Sequence, residues 1–136
     1  MRVVADTNVY VSAIIFGGKP QALLDLAQDG QIELVISDDI LKETERILRD
    51  KFKRTPEELR NDLLSIEAVS TRVSPTERID AVPRDPTDNI VLESAVAAGA
   101  EVIVSGDKDL LALVGFRGIK SQRVGEFLEN LQALGW

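Results

Sequence analysis

The sequence predicts an α/β fold in which helices flank a largely parallel sheet. Two observations predict this class. Short apolar runs of strand length alternate along the 136 residues with longer segments of helical periodicity. Glycine, proline and helix-capping residues stand at the junctions between these segments. Because no linker or repeat interrupts the alternation, we expect one domain over residues 1–136.

The first half of the chain contains two predicted strands and four predicted helices. The strands are Val3-Val4-Ala5 and Ile32 to Ile36, and the helices run from Val9 to Phe16, from Pro20 to Gly30, from the capping run Ser37-Asp38-Asp39 to about Phe52, and from Pro56 to about Ala68. Gly17-Gly18 and Gly30 end the first two helices, because glycine favours the conformations that follow a helix. Thr55-Pro56-Glu57-Glu58 has the spacing of a capping box, with proline at the first helical position.

The second half adds three predicted strands and three predicted helices. A strand near Val69 to Val73 leads into an ordered connection over residues 74–87, which contains Pro75, Pro83, Pro86, Asp80 and Asp85. There follow a helix from Pro86 to Ala98, a strand from Glu101 to Ser105, a short helix from Leu110 to Val114, a strand near Gly118 to Ser121, and a helix containing Phe127, Leu128, Leu131 and Leu134. Five strands are therefore expected.

The composition excludes several classes of enzyme. Cysteine and histidine are both absent, which removes disulfides, thiolate nucleophiles, Cys/His zinc sites and Ser-His-Asp triads. Any chemistry must come from carboxylates, hydroxyls, lysines, arginines or a bound group. No apolar run approaches the roughly 18 to 20 residues that cross a bilayer, and the start MRVVADTNVY lacks the pattern of a signal peptide. We therefore expect a cytoplasmic protein with no membrane association.

The formal net charge of −7 bears on both metals and nucleic acids. Carboxylates are the ligands that suit hard cations such as Mg²⁺ and Mn²⁺. The same acidity argues against adhesion to nucleic acid through overall charge, but it leaves room for a local basic track.

Two aspartates follow predicted strands. Asp6 comes directly after Val3-Val4-Ala5, and Asp107 follows the strand that ends at Ser105. Ligands of open α/β sheets bind beyond the carboxyl ends of the strands, so this is a favoured place for functional carboxylates. Either aspartate could instead cap the helix that follows it. The presence of an aspartate at the ends of both strands favours a functional role.

Two further acids are candidates from helical periodicity. Asp88 precedes Val91, Leu92 and Ala95 by three, four and seven positions, so it lies on the buried face of its helix. A buried carboxylate needs a cation or hydrogen-bond donors, although capping of the first helical turn is the alternative. On the helix after Ser37, Glu43 and Glu45 lie at opposite edges of the apolar stripe, and periodicity does not choose between them.

With these residues, the chain resembles the PIN-domain ribonucleases, in particular the small bacterial toxin-like members of toxin–antitoxin pairs. The resemblance spans nearly the whole chain. It rests on Val3-Val4-Ala5-Asp6-Thr7-Asn8, on Ser37 with Leu41 and Glu43, on Asp85-Pro86-Thr87-Asp88-Asn89, and on Val104-Ser105-Gly106-Asp107-Lys108-Asp109-Leu110. It implies a three-layer α/β/α fold with a central, mostly parallel sheet of about five strands. One departure is Leu110, where many relatives carry an aromatic residue.

The resemblance also implies a set of site residues. Asp6, Glu43, Asp88 and Asp107 would form a catalytic acidic quartet that binds Mg²⁺ or Mn²⁺, which selects Glu43 over Glu45, and Asp109 would be an extra metal ligand. Asn8 and Ser105 would be polar supports near this site. The implied activity is hydrolysis of RNA that leaves a 5′-phosphate and a 3′-hydroxyl. The implied partners are a cognate antitoxin protein and a second copy of the chain in a homodimer.

A basic segment could bind the RNA. It comprises six cations, against three acids in the same stretch: Lys42, Arg46, Arg49, Lys51, Lys53 and Arg54. A solvated helix face with internal ion pairs is the alternative for each of them. Arg117, Lys120 and Arg123 form a second, weaker candidate patch.

Three other functions compete with this hypothesis. A phosphatase with Asp6 as nucleophile, like the haloacid-dehalogenase family, requires a second aspartate where this chain has Asn8. A receiver-like signalling domain requires paired acids after the first strand and a lysine after a late strand, and neither is found. A PIN-like module that binds metal or nucleic acid without catalysis ranks second to the nuclease, because all four acids that the nuclease would require are present.

Overall fold

The computed structural model describes residues 1–82, 86–113 and 115–133. Within these residues a sheet of five strands has the order β3-β2-β1-β4-β5, and all four pairings are parallel. The strands are β1 (Arg2–Ala5), β2 (Glu33–Ser37), β3 (Ser70–Val73), β4 (Val102–Val104) and β5 (Lys120–Gln122). Because the strands are parallel, the residues that follow β1, β2 and β4 meet at one edge of the sheet.

Helices complete a three-layer α/β/α architecture. They are α1 (Thr7–Phe16), α2 (Gly18–Gln28), α3 (Asp38–Asp50), α4 (Pro56–Ala68), α5 (Pro86–Ala98), α6 (Lys108–Ala112) and α7 (Val124–Ala133), with a 3₁₀ turn at Phe116–Gly118. Helix α3 packs against α1, α4 and α5, and α5 also packs on β1. The predicted α/β class and the number of strands are confirmed.

The core explains why the three central strands, β1, β2 and β4, have continuous apolar sequences. Val3, Val4 and Ala5 of β1 are completely buried, and the apolar residues of β2 and β4 are nearly so. A parallel sheet that is covered on both faces has no solvated side, so alternation with polar residues is not needed. A second, smaller cluster of Val11, Leu48 and Leu59 joins α1, α3 and α4. This cluster fixes α3, which carries Glu43, relative to α1.

Some predicted boundaries move. Helix α2 begins at Gly18, two residues before the predicted start at Pro20, because Gly17 and Gly18, at φ 71° and 64°, together make the turn after α1. Helix α6 begins at Lys108 because Asp107 caps it. Strand β5 begins two residues later than predicted, because the 3₁₀ turn includes Gly118. The predictions that fall on Pro83, Asp85, Val114 and Leu134 lie outside the described residues.

No helix in the described parts of the chain has both the length and the apolar composition needed to cross a membrane.

Candidate active site

All four predicted acids of the quartet line one cavity of about 230 Å³. The cavity lies where β1 and β4 end, between α3 and the first turn of α5. Its lining consists of Asp6, Thr7, Asn8, Glu43, Arg46, Ile47, Thr87, Asp88, Val91 and Asp107. Residues that are distant in the sequence therefore converge beyond the carboxyl edge of the sheet.

Asp6 is held by neutral donors and is only 4% exposed. Its Oδ1 accepts a hydrogen bond of 3.1 Å from the backbone N–H of Val9 and so caps α1. Its Oδ2 accepts a hydrogen bond from the hydroxyl of Ser105. Burial raises the pKa of Asp6, and the charge of Asp107 adds to that increase, although the hydrogen bonds from Ser105 and from backbone amides oppose it. A nearby cation would relieve the cost of this buried charge.

Ser105 links Asp6 to Asp107. The Ser105 side chain is completely buried, and its Oγ accepts a hydrogen bond of 2.9 Å from the backbone N–H of Asp107 while donating to Asp6. Asp107 in turn caps α6, because its Oδ1 accepts from the N–H groups of Asp109 and Leu110 at 2.8 and 3.2 Å. One serine therefore links the carboxylate of Asp6 to the backbone of Asp107.

Asp88 brings a carboxylate from α5 to the same edge. It is 4% exposed and lies in the first turn of the helix, on the face predicted from its spacing to the apolar residues. Carboxylate oxygens of Asp88, Asp107 and Asp109 lie within 4.8 Å of one another. Oxygen ligands from several carboxylates are the set that Mg²⁺ and Mn²⁺ prefer, so the donor chemistry fits a divalent cation.

Glu43 and Glu45 lie on different sides of α3. Glu43 lines the cavity, and its carboxylate accepts hydrogen bonds from Nε and Nη2 of Arg46, the first at 3.1 Å. Glu45 instead lines a separate groove with Arg49, Arg54 and residues of α4. The choice between these glutamates, which periodicity left open, is thus made by the position of α3 in the fold.

The two predicted supports differ in their surroundings. Ser105 touches both Asp6 and Asp107, as described above. Asn8 is exposed and lines the cavity.

The predicted basic residues are partly committed to ion pairs. Arg46 is paired with Glu43, Arg49 with Asp50 at 2.9 Å, and Arg54 with Asp62 and Glu58 at 2.9 and 3.1 Å. Lys42, Lys51 and Lys53 are exposed, and the Lys51 ammonium lies 5.5 Å from the centre of the Phe52 ring. In the second patch, Arg117 is paired with Glu77, Lys120 is exposed, and Arg123 lies 3.5 Å from the Gly106 carbonyl. Within this set, Arg46 lines the acidic cavity.

Sequence reasoning did not single out several residues at the site. Thr7, Ile47, Thr87 and Val91 line the cavity, and Thr7 and Thr87 belong to the two motifs that contain Asp6 and Asp88. Asn89 and Glu93 form a second group, because their side chains hold the segment before α5. Asn89 Oδ1 accepts from the N–H groups of Ala81 and Val82, and Glu93 Oε2 accepts from that of Ile79. We call these bonds from Asn89 and Glu93 the clamp. Its signal in the sequence was only indirect, the turn-forming residues of the connection before α5.

The fold and the acidic cavity define the class of protein, and comparison with known families identifies it. A sequence model of the PIN domain matches residues 2–109, so the chain belongs to the PIN domain family. This is a family of nucleases, which generally use divalent metals. The predicted family is confirmed.

Individual relatives extend the comparison. The chain is 34% identical over 118 residues to "Uncharacterized protein MJ1680" of Methanocaldococcus jannaschii, covering 83% of this chain and 75% of the relative. It resembles the crystal structure of VapBC2 from Rickettsia felis bound to a DNA fragment from their promoter, with a TM-score of 0.63, 15% identity and coverage of 90% of this chain and 98% of that one. It also resembles PAE2754 from Pyrobaculum aerophilum, with a TM-score of 0.63, 16% identity and coverage of 98% and 90%. At these identities the two structures establish the fold.

Proposed function

We propose that this chain is a Mg²⁺- or Mn²⁺-dependent endoribonuclease that hydrolyses RNA phosphodiester bonds in the acidic cavity. One observation carries the proposal. Asp6, Glu43, Asp88 and Asp107 come from four separate parts of the chain and line one cavity, although their charges repel each other. Membership of a nuclease family gives this convergence its chemical meaning.

The acids of the quartet would hold the cation together, with Asp109 as an extra ligand. Oxygens of Asp88, Asp107 and Asp109 lie within 4.8 Å of one another, and Asp6 and Glu43 line the same cavity as Asp88 and Asp107. When bound, the cation supplies Lewis-acid activation of water and of the scissile phosphate. Ser105 would position the carboxylate of Asp6 by donating a hydrogen bond to it, and the backbone of Asp107 by accepting one from its N–H. Asn8, which is exposed and lines the cavity, would be a polar support beside the acids.

We also propose that the chain is the toxin of a toxin–antitoxin pair. The likeness of the fold to VapBC2 supports a toxin of a toxin–antitoxin pair, with a cognate antitoxin protein as its partner. RNA as the substrate, a homodimer as the assembly and the cytoplasm as the location follow from the resemblance and the sequence. Size-exclusion chromatography with light scattering tests the dimer, and a monomer at micromolar concentration would contradict it. Co-expression with the protein encoded beside it tests the antitoxin, which should suppress cleavage.

Nuclease assays on total cellular RNA test the activity. The wild-type protein should cleave with Mg²⁺ or Mn²⁺ and be inactive with a chelator. Asp6→Asn and Asp88→Asn should each lower the rate by about 100-fold or more, because each removes a charge from the proposed metal site. Asp25→Asn is the matched control, since Asp25 is an exposed aspartate on α2 that accepts a hydrogen bond from Gln21. Cleavage that persists with chelator, or that is unchanged in both site variants, would refute the proposal.

A further inference from the structure

Glu43 differs from Asp6 and Asp107 in having a cation as its hydrogen-bond partner. Asp6 and Asp107 accept hydrogen bonds from a hydroxyl and from backbone amides. The carboxylate of Glu43 instead faces the guanidinium of Arg46, and each of its two oxygens accepts from a different nitrogen. The pair is formed within α3 at a spacing of three residues, and both side chains line the cavity.

This bidentate pair conflicts with a divalent ion at the same carboxylate. The two oxygens of Glu43 already accept from Arg46, and the positive charge of the guanidinium would repel a second cation close by. The conflict is mild, because the Arg46 side chain is 54% exposed and exposed ion pairs on a helix are weak and screened by salt. Arg46 can therefore leave Glu43 without disturbing the fold.

We infer that Arg46 is a resident cation that occupies Glu43 in the metal-free protein and is displaced when a divalent ion binds. The displaced guanidinium then holds a phosphate of the substrate at the mouth of the cavity. This inference rests on the proposed function, and it assigns Arg46 two successive partners, first a carboxylate and then a phosphate. A planar guanidinium suits both, since each offers two oxygens to its parallel N–H groups.

The position of Arg46 on α3 supports the second partner. Lys42 and Arg49 precede and follow it by four and three residues, so all three lie along one side of the helix and all are exposed. Arg46 is the member of this stripe that lines the cavity. The stripe thus gives a local basic approach to the site in a protein of net charge −7.

Metal affinity without turnover tests the first part of the inference. Mn²⁺ binding is measured by electron paramagnetic resonance of the free ion for the wild type, Arg46→Gln and Arg2→Gln. Arg2 is the matched control, because it is also 54% exposed and paired with a glutamate, but it lies at the amino end of β1, away from the cavity. Arg46→Gln should bind Mn²⁺ roughly three- to tenfold more tightly than the wild type, since it removes a competing and repelling charge. Arg2→Gln should bind as the wild type does.

A double-variant cycle separates competition for Glu43 from a general effect of charge. The gain from Arg46→Gln should shrink when Glu43→Gln is already present, because the contested carboxylate is gone. Equal gains in both backgrounds, or an affinity of Arg46→Gln no tighter than that of Arg2→Gln, would overturn the inference while leaving the proposed nuclease intact. A wild-type protein that binds no Mn²⁺ would overturn both.

Kinetics on a labelled RNA oligonucleotide test the second part. Arg46→Gln should raise KM more than it lowers kcat, and the plot of log kcat/KM against log salt concentration should lose about 0.7 of its slope, the value for one phosphate contact on a single strand. Arg46→Lys should restore the slope, because it keeps the charge. An unchanged slope in Arg46→Gln would overturn the phosphate contact.

Discussion

Asn89 holds the chain segment that precedes α5, and its removal should destabilise the protein. Its side-chain amide accepts hydrogen bonds of 3.0 and 2.9 Å from the backbone N–H groups of Ala81 and Val82, and it donates one of 2.9 Å to the carbonyl of Val82. Asn89→Ala removes all three bonds. Because Val82 is 5% exposed, water cannot replace the partners of its N–H and carbonyl groups.

The expected cost is about 2–5 kcal/mol in the free energy of unfolding. Each buried backbone group that loses its partner costs about 1–3 kcal/mol, and two such groups belong to Val82. The half-buried Ala81 N–H adds less, because water can reach it. The higher helix propensity of alanine returns about 0.5 kcal/mol. Helix α5 carries Asp88 in its first turn, so the same clamp also fixes the chain beside the cavity.

Urea unfolding followed by circular dichroism measures this cost. Gln21→Ala is the matched control, because its amide donates one exposed hydrogen bond to Asp25, and it should change stability by less than about 0.5 kcal/mol. Amide hydrogen exchange at Ala81 and Val82 should also accelerate in Asn89→Ala. A loss no larger than that of the control, with unchanged exchange at these two amides, would refute the assignment of Asn89 as a clamp.

Two further predictions concern charged side chains. In the presence of chelator, Asp6→Asn should be more stable than the wild type at pH 7. Burial raises the pKa of Asp6 in the folded protein above the ordinary value of 3.8, so the folded wild type loses stability as pH rises above 3.8 and Asp6 ionises. The difference should close below pH 3.8 in urea titrations at several pH values, and an asparagine that is destabilising at neutral pH would contradict it. Arg54→Met should cost about 1–3 kcal/mol, since it leaves the carboxylate of Asp62, which is 7% exposed, without its guanidinium partner. Urea unfolding measures this loss, and a change below 0.5 kcal/mol would show that the pair is worth no more than a surface pair.

Features that depend on local sequence were predicted well. The three central strands β1, β2 and β4 are apolar runs, and the capping box at Thr55 and Glu58 forms with both of its hydrogen bonds. The places of Asp6 and Asp107 follow from the ends of two strands, and that of Asp88 follows from its spacing to apolar residues. In each case the determining contacts are within a few residues in the chain, where periodicity and capping rules apply.

Features that depend on tertiary packing could not be predicted from pattern alone. Glu43 and Glu45 are equivalent at the edges of one apolar stripe, and only the packing of α3 against α1 and α5 turns Glu43 towards the cavity. Arg54 looked like part of a basic track, yet it pairs with Asp62, eight residues away on the next helix. Asn89 also bonds Ala81 and Val82, which lie in the connection before α5. Helix and strand periodicity make no prediction for such a connection.

The sequence left helix capping and metal binding as alternatives for Asp6 and Asp107, but the observed capping is compatible with the proposed metal binding. A carboxylate has two oxygens, and Asp107 uses only Oδ1 for both of its capping bonds. Asp6 divides its oxygens between the α1 cap and Ser105. Capping fixes each side chain without a cation, so the acids would need no large rearrangement to bind one. The repulsion between the acids and the burial of the Asp6 carboxylate both destabilise the folded chain at this site. A bound cation would reduce both costs.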